Sequence, residues 1–190
     1  MSKLYYREEQ RYTQWWVWLL LSLGCAAAVV PFWHGLYVQL ELGRPWGDQP
    51  MSDNQLMVTA IVMTLFMAGI LLLFRLQKLD ITITDEGIRY RFLPFIRKER
   101  LIKPSEIESW TVEKYSPLKS YGGYGIRASF GKRGLRRRRN SDKAYIVYGN
   151  LGLRLKFKNG TSLTMSTLRK DAMAHAMQKM MDVYSGKTVI

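Results

Sequence analysis

The sequence predicts a membrane α-hairpin followed by an α+β domain, an antiparallel β-barrel or sandwich of about seven strands capped by one C-terminal helix. Three observations carry this expectation. Apolar residues crowd into the first 75 positions or so of the 190. After Lys78 the hydrophobic period becomes two, as in half-buried strands, and after Thr167 it becomes helical. The expected division is a tail with two transmembrane helices over 1–78 (spans near 13–38 and 55–75) and a domain over 79–190.

The first span lies within Tyr12–Leu40, which contains no Asp, Glu, Lys or Arg; its core reads "WWVWLLLSLGCAAAVVPFW". The second is "NQLMVTAIVMTLFMAGILLLF", Asn54 to Phe74. Each exceeds the ~18 apolar residues that suggest a helix crossing a hydrocarbon core about 30 Å thick. Trp15, Trp16 and Trp18 cluster at one end of the first span, Phe32, Trp33 and Tyr37 at the other. At about 1.5 Å per residue, Trp16 and Trp33 stand roughly 26 Å apart, close to the separation of two headgroup interfaces. A cleaved signal peptide would need a shorter apolar core and a small-residue cleavage site. "SLGC" has Ser22 and Leu23 in the wrong order for a lipobox, so the segment reads as a retained span, with the single Cys25 a small apolar residue within it.

Basic residues set the expected orientation. Lys3, Arg7 and Arg11 precede the first span, and Arg75 and Lys78 follow the second. The connection "ELGRPWGDQPMSD" holds only Arg44 against Glu41, Asp48 and Asp53. The positive-inside rule then puts both termini in the cytoplasm. Neither span carries an ionisable residue at mid-depth, which argues against a proton relay or a transporter.

Beyond Lys78 the strands follow in order. "LDITIT" alternates, "DEG" supplies a turn, and "IRYRFLPF" alternates again until Pro94. "RKERLI" is a third strand, and "IESWTVEK" a fourth after a turn at Pro104. "KAYIVYG", "LGLRLKFK" and "TSLTMST" complete the set, the last two joined at Asn159-Gly160, a strong hairpin signal. Ser166 or Thr167 is placed to cap the final helix, "LRKDAMAHAMQKMMDVYSG", with Gly186 as its stop. Ala172 or Met173, Ala176 or Met177, Met180 and Tyr184 form its apolar face, expected to cover the sheet.

The segments "IKPSEIESWTVEKYSPLKSYGGYGIR", "KAYIVYGNLGLRLKFKNGTSLTMST" and the final helix resemble small bacterial membrane proteins with two spans and a bacterial PH-like (pleckstrin-homology-like) domain. A Gly-Gly-aromatic-Gly-Ile-Arg segment before an "AY" strand, a hairpin and a helix carries the resemblance, which covers essentially the whole chain. It implies a cytoplasmic PH-like domain at a bacterial inner (cell) membrane. It lends no biochemical role.

Enzymatic constellations are poor. His34 and His175 fall on opposite sides of the expected membrane boundary, and no nucleophile elbow or His-Glu metal motif occurs. "GYGIRASFGKR" fails as a P-loop, because the spacing is wrong and Arg133 stands where Ser or Thr is required. No enzyme activity, cofactor or metal is expected. "YGGYGIR" reads either as a binding loop, through Tyr121, Gly122, Gly123 and Tyr124, or as a glycine-tuned bend between strands.

The formal charge is +14, and residues from Asp80 on hold 23 Lys and Arg against 10 Asp and Glu. The densest run is "GKRGLRRRRNSDK". Nucleic acid attracts such charge, but no base-stacking pattern accompanies it, and no specific nucleic acid is expected. Beside a bilayer, a polybasic segment gains about 1 kcal/mol per Lys or Arg from an anionic leaflet. Arg127, Lys132, Arg133, Arg136, Arg137, Arg138, Arg139 and Lys143 are therefore the expected contacts to anionic lipid headgroups or an acidic partner; a solvated basic loop is the plain alternative. The expected function is a non-catalytic membrane-anchored scaffold with the lipid bilayer as partner. The alternative is a structural accessory subunit, with other subunits of a larger membrane complex as its partners.

Overall fold

The computed structural model describes residues 2–116, 125–129 and 142–186, the side chains of 127–129 and 142 excepted. The chain divides into two compact units. One is Tyr12–Leu76; the other joins the residues up to Arg11 with those from Gln77 onward.

The first unit is a pair of helices, α1 (Trp15–Leu40) and α2 (Asp53–Leu76). At about 1.5 Å per residue both exceed a hydrocarbon core roughly 30 Å thick. Both are long and apolar enough to span a membrane, and almost none of either apolar stretch is buried. Leu19, Leu20 and Leu23 on α1, with Ile61, Leu65 and Phe66 on α2, stay exposed. A core helix of a water-soluble domain would bury such a surface.

Several contacts within this unit are specific. The Trp33 indole N–H donates to the Thr64 hydroxyl at 2.9 Å. The rings of Tyr12 and Phe74 lie 5.6 Å apart. Leu36, Leu56 and Ala60 form a small core with Phe32 and Trp46 against it. Trp46 folds over Gly35 so closely that an added Cβ would meet its ring at 2.6 Å. Ser52 and Gln55 open α2 with a reciprocal capping pair, each side chain reaching the other's backbone N–H at 3.4 Å.

The second unit holds two sheets and one helix. Sheet A has the order β1-β2-β3-β4, with β1 Leu4–Arg11, β2 Lys78–Thr84, β3 Gly87–Leu93 and β4 Ile96–Ile102. Sheet B has the order β5-β8-β9-β7-β6, with β5 Ile107–Lys114, β6 Gly125–Ser129, β7 Asp142–Ile146, β8 Leu151–Phe157 and β9 Ser162–Ser166. Helix α3 (Lys170–Tyr184) follows. The alternation read from the sequence sets which side chains face inward. Leu79, Ile81, Ile83, Ile88 and Phe92 from sheet A are fully buried, as are Leu153, Leu155 and Met165 from sheet B. At roughly 1.5–3 kcal/mol per buried aliphatic or aromatic side chain, these supply the drive to pack. Tyr145 of β7 meets Tyr90 and Phe92 of β3, with ring centroids 5.5 and 5.8 Å apart.

Four expectations need correction. Nine strands form among the described residues instead of about seven; the two extra are β1, within the N-terminal tail, and β6, within the glycine-rich stretch. The strands are not all antiparallel. Chain order would put β8 beside β7, but β9 lies between them, so β7 and β9 run parallel. The sheets do not close into a barrel. Finally, neither Ser166 nor Thr167 caps α3: Arg169 precedes its first turn with no side-chain cap, the Ser166 hydroxyl is held by Gln10, and the Thr167 hydroxyl, which donates to Glu8, accepts from the Arg169 N–H ahead of the helix and from none within it.

Other expectations hold. Met173, Ala176, Met177 and Met180 are buried and His175 is exposed, although Tyr184 is exposed too. Gly186 stands just beyond the helix at φ 72°. The Asn159-Gly160 hairpin forms between β8 and β9.

Candidate functional site

The charges of the β unit fall into two populations. Glu9 is bound by Lys78 at 2.7 Å and Arg11 at 2.9 Å, and these hydrogen bonds hold its carboxyl below the usual range. Asp80 binds Lys78 and Arg91, and Arg89 bridges Glu86 and Glu99. Across sheet B, Glu108 pairs with Lys156 and Glu113 with Arg154. Arg97, Lys98, Arg100, Lys103 and Lys143 form no ion pair among the described residues.

Lys3, Arg7, Lys114, Lys158, Arg169, Lys170 and Lys179 of this unit form none either, but four of the first five follow one another along a single stretch of chain. Arg97, Lys98 and Arg100 lie on β4, a free edge bonded only to β3, and Lys103 follows directly. All are exposed, as is Lys143. Charged residues on an edge strand discourage pairing with another chain. Here they also border a cleft of about 280 Å³ between the sheets, which Arg100 enters from β4 and Lys143 from β7. Buried Tyr90, Ile102 and Leu163 contribute apolar lining. Glu106, Asn159, Thr161 and Ser162 supply polar lining. The neighbouring Tyr145 phenol is pushed up to about 12, first by burial and then by Tyr90, while the Arg100 charge pulls the other way.

A second polar cluster is structural. Glu8 of β1 is buried, and its carboxyl accepts from the Tyr6 hydroxyl, from the Thr167 hydroxyl at 2.8 Å and from the Leu168 N–H at 2.8 Å. Gln10 donates to the Ser166 carbonyl at 2.7 Å and accepts from the Ser166 hydroxyl at 2.6 Å. The Arg169 guanidinium lies 5.0 Å from the Tyr6 ring centroid and donates to the Arg7 carbonyl. Three alternate residues of β1 thus fasten the N-terminal strand to the β9–α3 corner. Polar groups this buried must be satisfied, and each of these is.

Of the expected contact residues, Lys143 is an exposed cleft residue, and Arg127 stands on β6 with its backbone paired to Ala144. Lys132, Arg133, Arg136 to Arg139, and the loop residues Tyr121, Gly122, Gly123 and Tyr124 lie outside the described residues. Their flanking strands are in register, Ser129 opposite Asp142, so the arginine-rich segment is connected to the same end of the β6–β7 ladder at both its ends. Lys143 is next to that end. The sequence reading missed Arg97, Lys98, Arg100 and Lys103, whose signal was the charged strand "IRKERLIK". Among the described residues no three His, Cys, Asp or Glu side chains gather as a metal site.

Comparisons with protein-family models, with curated proteins and with solved structures find no match for this chain. What the arrangement can do therefore follows from its chemistry. It offers an uncompensated positive edge and a small cleft of mixed character, both suited to binding an anion.

Proposed function

We propose that the chain is a non-catalytic, membrane-anchored binding protein, whose helical hairpin tethers a basic PH-like domain that contacts anionic lipid headgroups. The observation that carries this reading is the gathering of Arg97, Lys98, Arg100, Lys103 and Lys143, all without acidic partners among the described residues, in a unit joined twice to the apolar helices. Those connections are Tyr12–Gln14 and Gln77 alone. Such short tethers give the domain a high effective concentration at a bilayer crossed by the helices. At about 1 kcal/mol per basic residue near an anionic leaflet, five cations are enough to matter before the arginine run is counted.

The β1–β2 pairing supports a same-side arrangement, because both chain connections to the helices leave one β unit. The balance of basic residues around the spans favours the cytoplasmic side of a bacterial inner membrane. The test is hydrogen exchange of the full chain in nanodiscs of phosphatidylcholine alone or mixed with phosphatidylglycerol. Protection of Ile96–Glu106 by the anionic lipid is expected, lost in high salt and reduced when Arg136 to Arg139 become Gln. Identical exchange in the two lipids would overturn the reading. Protection that instead requires an acidic protein partner would favour an accessory subunit.

A further inference from the structure

We propose that the inter-sheet cleft is a binding site for a phosphate ester bearing free hydroxyl groups, of glycerol phosphate size. This deepens the anionic-headgroup reading and rests on it for the lipid as a source, although the cleft's chemistry stands by itself.

Size and charge define the ligand class. A volume of about 280 Å³ is at the small end of ligand pockets, ~300–1,000 Å³, and accommodates a group of headgroup size. Arg100 and Lys143 enter the lining from different sheets, and neither has a carboxylate partner among the described residues. A guanidinium offers a planar fork to two phosphate oxygens, and an ammonium adds a point charge. Thr161 donates both its N–H and its hydroxyl to the Asn159 side-chain oxygen, at 2.9 and 2.7 Å. Asn159 lines the cleft, and its amide group makes no other hydrogen bond among the described residues, so it is available as a donor to a ligand there.

Glu106 is the discriminating residue. A carboxylate in the lining disfavours a bare anion, yet it is an acceptor for hydroxyl donors. A ligand carrying both phosphate and hydroxyls satisfies Arg100, Lys143 and Glu106 together; inorganic phosphate satisfies only the first two. Buried Tyr90 in the lining leaves a less polar wall for the carbon skeleton. Both a free polyol phosphate and the headgroup of phosphatidylglycerol meet these demands.

The experiment is calorimetric titration of glycerol 3-phosphate into the full chain in phosphatidylcholine nanodiscs, where no anionic leaflet competes. Saturable binding of one equivalent is expected, tighter than inorganic phosphate, with glycerol inert. R100Q together with K143Q should weaken it about tenfold or more. T161W keeps every charge while filling the cleft and should weaken it comparably; E106Q should narrow the preference over inorganic phosphate. An unchanged circular dichroism spectrum and thermal midpoint certify each fold, and K143Q alone, on an exposed side chain, is the fallback. Competition by dihexanoyl phosphatidylglycerol assigns the lipid as the source, and its absence assigns a free phosphate ester. No binding of glycerol 3-phosphate, or binding indifferent to T161W, overturns the proposal. Protection of β4 by anionic lipid would survive that result, so the two readings fail separately.

Discussion

Arg11 and Lys78 stand opposite each other at the end of the β1–β2 ladder, although both long helices lie between them in the chain. Glu9 binds both side chains. The helical pair is thus an insertion between neighbouring antiparallel strands, and the N-terminal tail belongs to the same β unit as the C-terminal helix. A chain built this way cannot be divided after the second helix without removing a strand from sheet A.

Glu8 holds that strand in place. Glu8→Ala leaves the Tyr6 hydroxyl, the Thr167 hydroxyl and the Leu168 N–H without their acceptor. At about 1–3 kcal/mol for a buried group left unsatisfied, a total loss of roughly 3 kcal/mol is expected after relaxation. Glu8→Gln, which keeps one oxygen, should cost less. Thermal unfolding of the full chain in micelles, followed by circular dichroism, measures both.

Gly87 opens β3 at φ 143°, and a Cβ there would meet the Ile102 carbonyl oxygen at 2.2 Å. That oxygen is backbone of the paired strand β4, so it cannot swing aside. Gly87→Ala should cost roughly 1–3 kcal/mol and loosen the β3–β4 edge. Faster hydrogen exchange over Ile96–Ile102 would report it.

Alkaline pH should weaken the β unit through two phenols. Tyr6 and Tyr145 are each raised from 10.0 to about 12, burial being the larger cause in both. Between those values the unfolded phenols lose protons that the folded ones keep, so stability falls as pH rises from about 10 to 12. Below pH 10 both states are neutral and the contribution is constant. Phenolate absorbance should show two late tyrosines, and Tyr145→Phe should flatten the alkaline fall.

The sequence made the spans legible because an uncharged run of that length has few other uses. It also made seven strands legible, because "LDITIT" and "LGLRLKF" alternate cleanly between core and solvent. Strand β1 escaped for a physical reason: its inward face is Tyr6, Glu8 and Gln10, so polar side chains occupy both faces and no hydrophobic period exists. Their partners at Ser166 and Thr167 are distant in sequence, and hydrogen-bonded burial leaves no local mark. The same cluster explains the misplaced helix cap: Gln10 holds Ser166, and Glu8 holds Thr167 where it reaches the Arg169 N–H ahead of the helix and none within it. Strand β4 was legible as a strand, yet its role as an unneutralised edge depended on where every carboxylate lay. Only the ion pairs at Glu9, Asp80, Glu86 and Glu99 reveal that Arg97, Lys98 and Arg100 have no carboxylate partner among the described residues.

The most direct test of the account is the placement of the helix connection relative to the β unit across a bilayer. In a Cys25→Ser background, Gly47→Cys in the connection and Ser105→Cys beside β4 are labelled in oriented membrane vesicles with an impermeant maleimide. The two positions should label from opposite sides, each protected in vesicles of the other orientation. Labelling of both from the same side would contradict a transmembrane hairpin inserted between β1 and β2.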